Sequence, residues 1–318
     1  MPDTDLRSVD VVIPVYEPDE KLNKIIEMLN LQTVKPEKIV IMVTLPDGES
    51  EESAEDLMFD LIARSRIWIE IHTLTKREFD HGGTRNAGIS FCDADIVVCM
   101  TQDAVPENDR LIEELTAPLA AKNVIVSYAR QLPAKNAKAP ERYSRKFNYP
   151  KKSRVKTKAD LEELGIKTYF CSNVCAAYNR ELFLSLGGFE QKIIFNEDMV
   201  FAGHAMNAGF AVAYAARARV IHSHNLTGGQ QFKRNFDLAV SQVQHPEVFG
   251  NVPSEGEGIK LVKGTIDYMV RKGRILGVPG FVLNTACRYA GYRLGRLYKR
   301  LPRFIIMRCT SNKEYWRA

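Results

Sequence analysis

With 318 residues, 45% of them hydrophobic and 26% charged, the chain is neither disordered nor fibrous, and it has room for one large α/β domain plus an appendage or for two modest domains. Its six cysteines include no CxxC pair, and the amino terminus lacks the basic and apolar regions of a signal peptide, so a cytoplasmic protein is expected. The net charge of +5 is uneven, because residues 271–318 hold twelve of the 44 Lys and Arg residues and one of the 39 acids.

Strands and helices alternate along the first 122 residues. Apolar runs predict buried strands at residues 9–15, 38–44, 67–74 and 95–100. Apolar residues at helical spacing predict helices at residues 22–29, 51–66, 83–92 and 107–122. This alternation predicts an α/β fold with a mainly parallel sheet covered on both faces. Ligands of such sheets bind at the carboxyl ends of the strands, where Tyr16, Thr44 and Asp103 fall.

Residues 130–158 form a basic segment with eleven Lys and Arg residues against Glu141 alone. Its proline and asparagine content predicts a long loop, and its charge predicts contact with an anion. A strand at 169–178, a helix at 197–208 and short strands around Val212 and Val220 are expected to complete the α/β domain near residue 225.

From residue 230 onward the periodicity is helical. Residues 281–301 place leucines and a tyrosine among five Lys and Arg residues, as in a basic amphipathic helix. Such a helix can lie in a membrane interface or can pack its apolar side against the body of the protein, and the sequence leaves both interpretations open. No stretch is apolar for long enough to cross a bilayer.

Three polar residues are candidates for a metal site. Asp103 directly follows the strand predicted at 95–100, and a carboxylate there can hold a divalent ion against phosphate oxygens. His222 and His224 follow a predicted strand, and an HxH pattern on a strand points both rings to one face. The alternatives are ordinary ones: a helix N-cap for the aspartate and a surface position for either histidine.

Two further segments suggest a base and an anion contact. Glu197 and Asp198 open a predicted helix, where Asp198 could act as a general base or could only complement the helix dipole. The glycine-rich residues 82–88 carry Arg85 and Asn86 at the start of another predicted helix, an arrangement that suits an anionic ligand. A Gly-Gly turn before a helix is also common for purely structural reasons.

These pieces, in this order, closely resemble glycosyltransferase family 2 and, within it, the rhamnosyltransferases of bacterial surface polysaccharides. The resemblance covers about residues 8–245. It is carried by VVIPVYEP (11–18), FDHGGTRNAG (79–88), MTQDAVP (100–106), ARQLP (129–133), FNYPKKS (147–153), SNVCAAY (172–178), GGF (187–189), NED (196–198), HSHN (222–225) and QQFKRNFD (230–237).

The resemblance implies a role for each candidate residue. Asp198 would be the catalytic base, with Glu197 and Asn173 on the acceptor side. A divalent cation, Mn²⁺ or Mg²⁺, would be bound by Asp103 and His222, with His224 as the backup ligand. The nucleotide-sugar would be bound by Pro14, Val15, Tyr16, Thr44, Arg85, Asn86, Gln102 and Asp103.

The resemblance also implies a GT-A fold and a division of the chain. Residues 1–225 would form the catalytic domain, with the nucleotide-sugar half at about 1–106 and the acceptor half at about 107–225. Residues 226–318 would form a helical, basic extension.

Two positions depart from the family pattern. Gln102-Asp103-Ala104 stands where the metal-binding DxD motif is usual, so one carboxylate is missing and the metal would depend more on His222 and on the diphosphate itself. Thr44 stands where many members carry an aspartate that binds uracil, which is compatible with a thymidine donor.

The function implied is an inverting transfer of L-rhamnose from dTDP-β-L-rhamnose to a hydroxyl of a saccharide acceptor, linked to polyprenyl pyrophosphate, in cell-surface polysaccharide synthesis. The alternatives are a donor such as UDP-galactose or UDP-N-acetylglucosamine, and a non-catalytic module that binds sugar nucleotides. The basic carboxyl-terminal region predicts peripheral docking on the anionic inner face of the cytoplasmic membrane. No nucleic-acid partner is expected, because no recognition motif accompanies the basic residues, and a homo-oligomer remains open.

Overall fold

The structure is a computed structural model, and it describes residues 7–46, 48, 58–59, 61–250, 252 and 255–317. The strands of this part of the chain are β1 (Val9–Val15), β2 (Lys38–Leu45), β3 (Trp68–Thr75), β4 (Ile96–Met100), β5 (Val105–Pro106), β6 (Val124–Leu132), β7 (Arg154–Lys156), β8 (Cys175–Asn179) and β9 (Ala211–Ile221). They form one sheet in the order β3-β2-β1-β4-β8-β6-β9-β5, and β7 pairs with β9. The neighbours of β8 run antiparallel to it, so β1 to β4, β6 and β9 all point the same way.

The α-helices of the described residues are α1 (Glu20–Asn30), α2 (His81–Ser90), α3 (Leu111–Thr116), α4 (Ala139–Asn148), α5 (Leu161–Leu164), α6 (Arg180–Ser185), α7 (Glu197–Asn207), α8 (Gly228–Gln244), α9 (Pro246–Phe249), α10 (Glu255–Arg271), α11 (Val278–Arg296) and α12 (Arg303–Cys309). Short 3₁₀ turns lie at Ala117–Ala120, Lys158–Asp160, Gly165–Thr168, Ile275–Gly277, Tyr298–Arg300 and Glu314–Trp316. None of these helices combines the length and the apolar composition needed to span a lipid bilayer.

Helices cover both faces of the sheet, as its continuous apolar strands require. On β1, Val11 and Ile13 face the layer of α1 and α3, whereas Val12 faces the layer of α2, α6 and α7. β1 pairs with β4 only as far as Val12 and Cys99, and the two strands then separate. The order of the strands reverses at this point, so a crevice opens at the carboxyl ends of β1 and β4, where α/β sheets bind their ligands.

Most of the predicted elements are confirmed, with shifted ends. The helix predicted at 107–122 is α3 followed by a 3₁₀ turn, and the strand predicted at 169–178 shortens to β8. The two short strands near Val212 and Val220 are one strand, β9, which carries an irregularity opposite Ala129 and Arg130. Most of the helix predicted at 51–66 lies outside the described residues.

The prediction of a long loop at 130–158 is wrong. The segment includes the end of β6, the helix α4 and the strand β7. Pro140 stands in the first turn of α4, where a missing N–H group costs no hydrogen bond, and the ion pair between Glu141 and Arg145 supports the helix from one turn to the next. Proline and asparagine content was therefore misleading as a sign of a loop.

The carboxyl-terminal region is helical, as predicted, and α11 packs closely along α8. A Cβ atom at Gly291 would overlap the carbonyl group of Phe232, and one at Gly295 would overlap that of Phe236. Because both residues are glycines, the two helix backbones can approach closely. The contact advances by four residues along both helices in the same direction, which shows that α8 and α11 run parallel. This contact confirms that one face of the segment 281–301 packs against the rest of the protein. The domain boundary at residue 225 stays a prediction.

Candidate functional site

A cavity of about 1550 Å³ lies at the carboxyl-terminal edge of β4, β6 and β9. Asp103 and His222 enter it from the sheet, and Asp198 enters it from the amino-terminal end of α7. The opposite wall comes from α4, α8, α10 and α11. The carboxyl-terminal helices therefore complete the cavity that the α/β region begins.

Asp103, His222 and His224 converge within this cavity. The Nε2 atom of His222 lies 3.5 Å from one carboxylate oxygen of Asp103, and Nε2 of His224 lies 3.2 Å from the other. The two Nε2 atoms are 3.0 Å apart, and one ligand atom from each of the three residues falls within 4.8 Å of the others. The structure thus brings together both predicted metal ligands and the backup.

Hydrogen bonds and charges around this triad determine the protonation of its residues. Nδ1 of His222 lies 2.9 Å from the Oε1 atom of Gln131, an acceptor, so Nδ1 carries a proton and Nε2 faces the cavity. Burial alone would raise the pKa of Asp103, but the hydrogen bond and charge of His222 and the charge of His224 bring that pKa well below its ordinary value. Burial and the charge of His222 lower the pKa of His224, which favours a neutral imidazole.

Gln102 makes a two-way hydrogen bond with the backbone of Tyr16. The Tyr16 N–H group donates to Oε1 of Gln102 over 2.7 Å, and Nε2 of Gln102 donates to the Tyr16 carbonyl over 2.8 Å. The pair joins the ends of β1 and β4 just where the strands separate. A carboxylate could accept the first bond but could not donate the second, so an amide is required at this position.

Glu197 and Asp198 lie side by side and have different partners. Glu197 is buried, and its Oε1 atom lies 3.1 Å from the guanidinium of Arg85 and accepts a 3.1 Å hydrogen bond from Nδ2 of Asn173. Within the described part of the chain, Asp198 accepts only backbone hydrogen bonds, from Asn173 at 3.0 Å and from Met199 at 2.8 Å.

This difference separates the protonation of the two carboxyl groups. Burial raises the pKa of Glu197, but the charges of Arg85 and His81 outweigh it, so the pKa of Glu197 is lowered. Burial and the neighbouring charge of Glu197 raise the pKa of Asp198 to about 7. Asp198 is therefore poised to accept and release a proton near neutral pH.

The glycine-rich segment after β3 positions these carboxylates. Asp80 caps α2 by accepting from the Gly83 N–H group, and it also accepts from the N–H groups of Lys192 and Ile193, just before α7. A Cβ atom at Gly82 would overlap the carbonyl group of Glu190. The amino-terminal end of α2 is thus capped by the carboxylate of Asp80 and packs against the loop that precedes α7. These protein groups stand where the sequence predicted an external anion.

Arg85 and Asn86 are also engaged within the protein. Arg85 lines the cavity, but it is buried, and its guanidinium pairs with Glu197 and donates to the His81 carbonyl over 2.8 Å. Asn86 does not line the cavity, because its amide exchanges two hydrogen bonds with the backbone of Phe189. Arg85 thus contacts the first residue of α7, and Asn86 contacts the segment that precedes α7.

The predicted nucleoside contacts lie apart from the lining of the cavity. Pro14 and Val15 end β1, Val15 is buried, and the Tyr16 side chain is exposed beside them. The hydroxyl of Thr44, at the end of β2, is buried and has no hydrogen-bond partner in the described part of the chain. These positions follow the same edge of the sheet as Asp103.

Several cavity residues were not singled out from the sequence. Gln131 and Arg234 fall inside the quoted segments ARQLP and QQFKRNFD, so those segments were a usable signal. His81 likewise falls inside the quoted segment FDHGGTRNAG. Arg145 and Arg288 reach the cavity through the packing of α4 and α11, which no local pattern reveals.

Comparison with known proteins identifies the family. Residues 10–187 match the profile of glycosyl transferase family 2. The O-antigen chain rhamnosyltransferase RfbN of Salmonella typhimurium is 35% identical over 312 residues, covering 97% of this chain and 96% of RfbN. This chain belongs to glycosyltransferase family 2. A second member, the O-antigen chain rhamnosyltransferase WbaN of Salmonella anatum, is 34% identical to this glycosyltransferase over 314 residues, with 97% of this chain and 96% of WbaN covered.

Solved structures confirm that this glycosyltransferase has the predicted GT-A fold. The mannosyltransferase PcManGT from Pyrobaculum calidifontis, in complex with GDP-Man and Mn²⁺, matches with a TM-score of 0.64 and 13% identity over 93% of this chain and 88% of PcManGT. Residues 1–349 of TarS from S. aureus, in complex with UDP-GlcNAc, match with a TM-score of 0.52 and 13% identity over 92% of this chain and 91% of that one.

The substitution Gln102→Glu separates a structural role of Gln102 from a lost metal ligand. We expect the variant to lose about 1 kcal/mol of unfolding free energy, because a donor is removed and an oxygen faces the Tyr16 carbonyl. Thermal denaturation and Mn²⁺ titration by electron paramagnetic resonance measure the two effects. Unchanged stability together with tighter Mn²⁺ binding would show that position 102 is a metal ligand and contradict the structural role.

Proposed function

We propose that this glycosyltransferase transfers L-rhamnose from dTDP-β-L-rhamnose, with inversion, to a hydroxyl of a saccharide acceptor in the synthesis of O-antigen or a similar surface polysaccharide. The rhamnose and the pathway are supported by RfbN and WbaN, which are named as O-antigen chain rhamnosyltransferases and align over nearly the whole chain. The chemistry rests on one observation: a carboxyl group with a raised pKa shares a cavity with an Asp-His-His triad.

The triad fits a divalent cation. Two imidazole nitrogens and one carboxylate suit Mn²⁺ better than Mg²⁺, which prefers oxygen ligands. Asp103, His222 and His224 would hold the ion, so His224 becomes a full ligand and compensates for the missing acid at Gln102. When bound, the ion neutralises the diphosphate of the donor as the bond to the sugar breaks.

Asp198 carries the proton transfer. Its carboxylate accepts the proton of the acceptor hydroxyl while that oxygen bonds to the anomeric carbon, and the bond from this carbon to the diphosphate breaks on the opposite side. The N–H groups of Asn173 and Met199 each bind one oxygen of Asp198 and so hold the carboxylate in place. Glu197 stays ionised beside Arg85, and its charge makes Asp198 more basic.

The nucleoside belongs at the ends of β1 and β2. Pro14, Val15 and Tyr16 border this position, and the unpartnered hydroxyl of Thr44 supplies a hydrogen-bonding group for the base. Arg85 and Asn86 would then act on the donor indirectly, through Glu197 and the Phe189 backbone.

The domain division follows from the same assignment. Residues 1–106 would carry the donor, residues 107–225 the acceptor side, and residues 226–318 an extension. Because Arg234 and Arg288 line the cavity, the extension is also part of the active site.

The purified protein can be assayed with Mn²⁺ and each of four donors: dTDP-rhamnose, UDP-galactose, UDP-glucose and UDP-N-acetylglucosamine. It should release the nucleoside diphosphate selectively from dTDP-rhamnose, and the addition of EDTA should stop this reaction. Asp198→Asn should lower the turnover number at least a hundredfold, because losing one interaction of the transition state costs about 2.7–4 kcal/mol. Donor binding should persist. Asp267→Asn, on the exposed side of α10, is the matched control.

Each other outcome has a defined meaning. Turnover of a UDP-sugar would keep the mechanism and replace the donor. Near-normal turnover of the Asp198 variant would remove this residue from its role, and binding without transfer to any saccharide acceptor would indicate a binding module.

We further propose that this glycosyltransferase docks on the anionic cytoplasmic face of the membrane through the turn between α10 and α11. Leu276 in this turn is 99% exposed and Ile275 is 59% exposed, an unusual position for two large apolar side chains. Lys272 and Arg274 flank them. Apolar side chains surrounded by cations suit an interface of acyl chains and anionic headgroups. Leu276, Lys272 and Arg274 also line the cavity, so a lipid-linked acceptor would enter it from the membrane.

Vesicles of phosphatidylethanolamine and phosphatidylglycerol should carry the protein upward in a flotation gradient at low salt, and high salt should release part of it. Leu276→Asp should float several-fold less, because burial of the side chain is lost and a repelled charge is added. Leu31→Asp, at an exposed leucine of α1's carboxyl-terminal end, is the control. Equal flotation of the Leu276 variant and the unmodified protein would contradict docking at this turn.

A further inference from the structure

The cavity carries more positive charge than the donor requires. Its lining includes nine Lys and Arg residues and four acids. A nucleoside diphosphate bound with a divalent cation is close to neutral, so it leaves this surplus uncompensated. A surplus of cations in a partly enclosed cavity attracts a further anion.

Seven of the nine cations, among them Arg234 and Arg288, make no ion pair within the described part of the chain. Arg234 of α8 and Arg288 of α11 have no carboxylate within 4.0 Å among the residues that the structure describes, whereas Arg85 pairs with Glu197 and Arg145 pairs with Glu141. Arg234 instead lies over the ring of Phe195, 4.8 Å from its centroid. Arginine is suited to planar, two-pronged recognition of phosphate oxygens.

Close packing of α8 and α11 brings Arg234 and Arg288 into the lining of the same cavity. Gly228 of α8 faces Cys287, which precedes Arg288, and Gly291 faces the Phe232 carbonyl. Like charges that line one cavity repel one another, so a bound anion would stabilise them.

Arg288 is the member of the pair that lies farther from the triad. Arg145 lies next to the triad, because it donates to Gln131, the partner of His222. Arg234 interacts electrostatically with His224 and with Asp198, and it lies over the ring of Phe195. Arg288 lies eight residues, or about 12 Å, beyond Gly280 along α11.

We propose that Arg234 and Arg288 form a second diphosphate site, which binds the phosphate-linked end of the acceptor while the acceptor sugar lies at Asp198. This inference rests on the proposed function, since it supplies the acceptor for the same transfer. Both arginines lie beyond the match to the family profile, which ends at residue 187.

Isothermal titration with geranyl diphosphate, a water-soluble prenyl diphosphate, tests the site while saturating dTDP and Mn²⁺ occupy the donor position. The protein should bind geranyl diphosphate but not geraniol. Arg288→Ala and Arg234→Ala should each weaken this binding about tenfold, because each removes a charged hydrogen-bonding partner of the diphosphate. The affinity of Arg288→Lys for geranyl diphosphate should lie between those of the unmodified protein and of Arg288→Ala, since lysine keeps the charge and loses the two-pronged geometry.

Arg296→Ala is the matched control, because Arg296 is an exposed arginine of the same helix outside the cavity. It should bind geranyl diphosphate like the unmodified protein. Arg288→Ala should also unfold at an unchanged or higher temperature, since it removes a repulsion and breaks no ion pair, so a loss of binding would not reflect misfolding.

Three results would overturn the inference. Geranyl diphosphate could fail to bind beside dTDP, the two alanine variants could bind it as tightly as the control, or they could lose affinity for dTDP by the same factor, which would assign the arginines to the donor. Hydrolysis of dTDP-rhamnose by the same preparation keeps the two proposals apart. If hydrolysis persists while geranyl diphosphate does not bind, only the second site is lost.

Discussion

The buried ion pair between Arg85 and Glu197 is the interaction on which the site depends. It joins α2 to the start of α7 and fixes a negative charge directly beside Asp198. Burying two charges is expensive in free energy, and the pair is tolerated because further hydrogen bonds reach both partners, from Asn173 to Glu197 and from Arg85 to the His81 carbonyl. The consequence is a carboxyl group whose pKa lies near neutrality, as a general base requires.

The sheet supplies the second half of the site through side-chain amides. Gln102 joins the ends of β1 and β4 next to Asp103, and Gln131 on β6 orients His222 at the end of β9. Two parallel strands, β4 and β9, thus deliver the triad to one edge, and amide side chains set its geometry without competing for a cation. Under the proposed function, the departure from the DxD motif is a change of role: Gln102 holds the backbone, and two histidines join the single aspartate.

Sequence reasoning could reach those features that depend on local pattern. Apolar runs located β1, β2 and β4, and the HxH pattern with Asp103 anticipated a triad that forms only when distant strand ends meet. The proline and asparagine content of residues 130–158 suggested a loop, because composition does not report helical ion pairs such as that between Glu141 and Arg145. The partners of Arg85 and Asn86 lie more than 100 residues away in the chain, at Glu197 and Phe189, so no local pattern could show that both are already engaged. Arg288 reaches the cavity only through the glycine contacts of α8 and α11.

The central claim, that Glu197 tunes Asp198 as the base, is tested most directly by the pH dependence of kcat/KM, which reports ionisation of the free enzyme. Because the base must be deprotonated, activity should fall as the pH drops through about 7, the raised pKa of Asp198. In Glu197→Gln the neighbouring negative charge is lost and Arg85 is left uncompensated, and both changes lower the pKa of Asp198. The account predicts that the acidic limb of the profile moves to lower pH in this variant, and a limb that stays in place or moves to higher pH would contradict it.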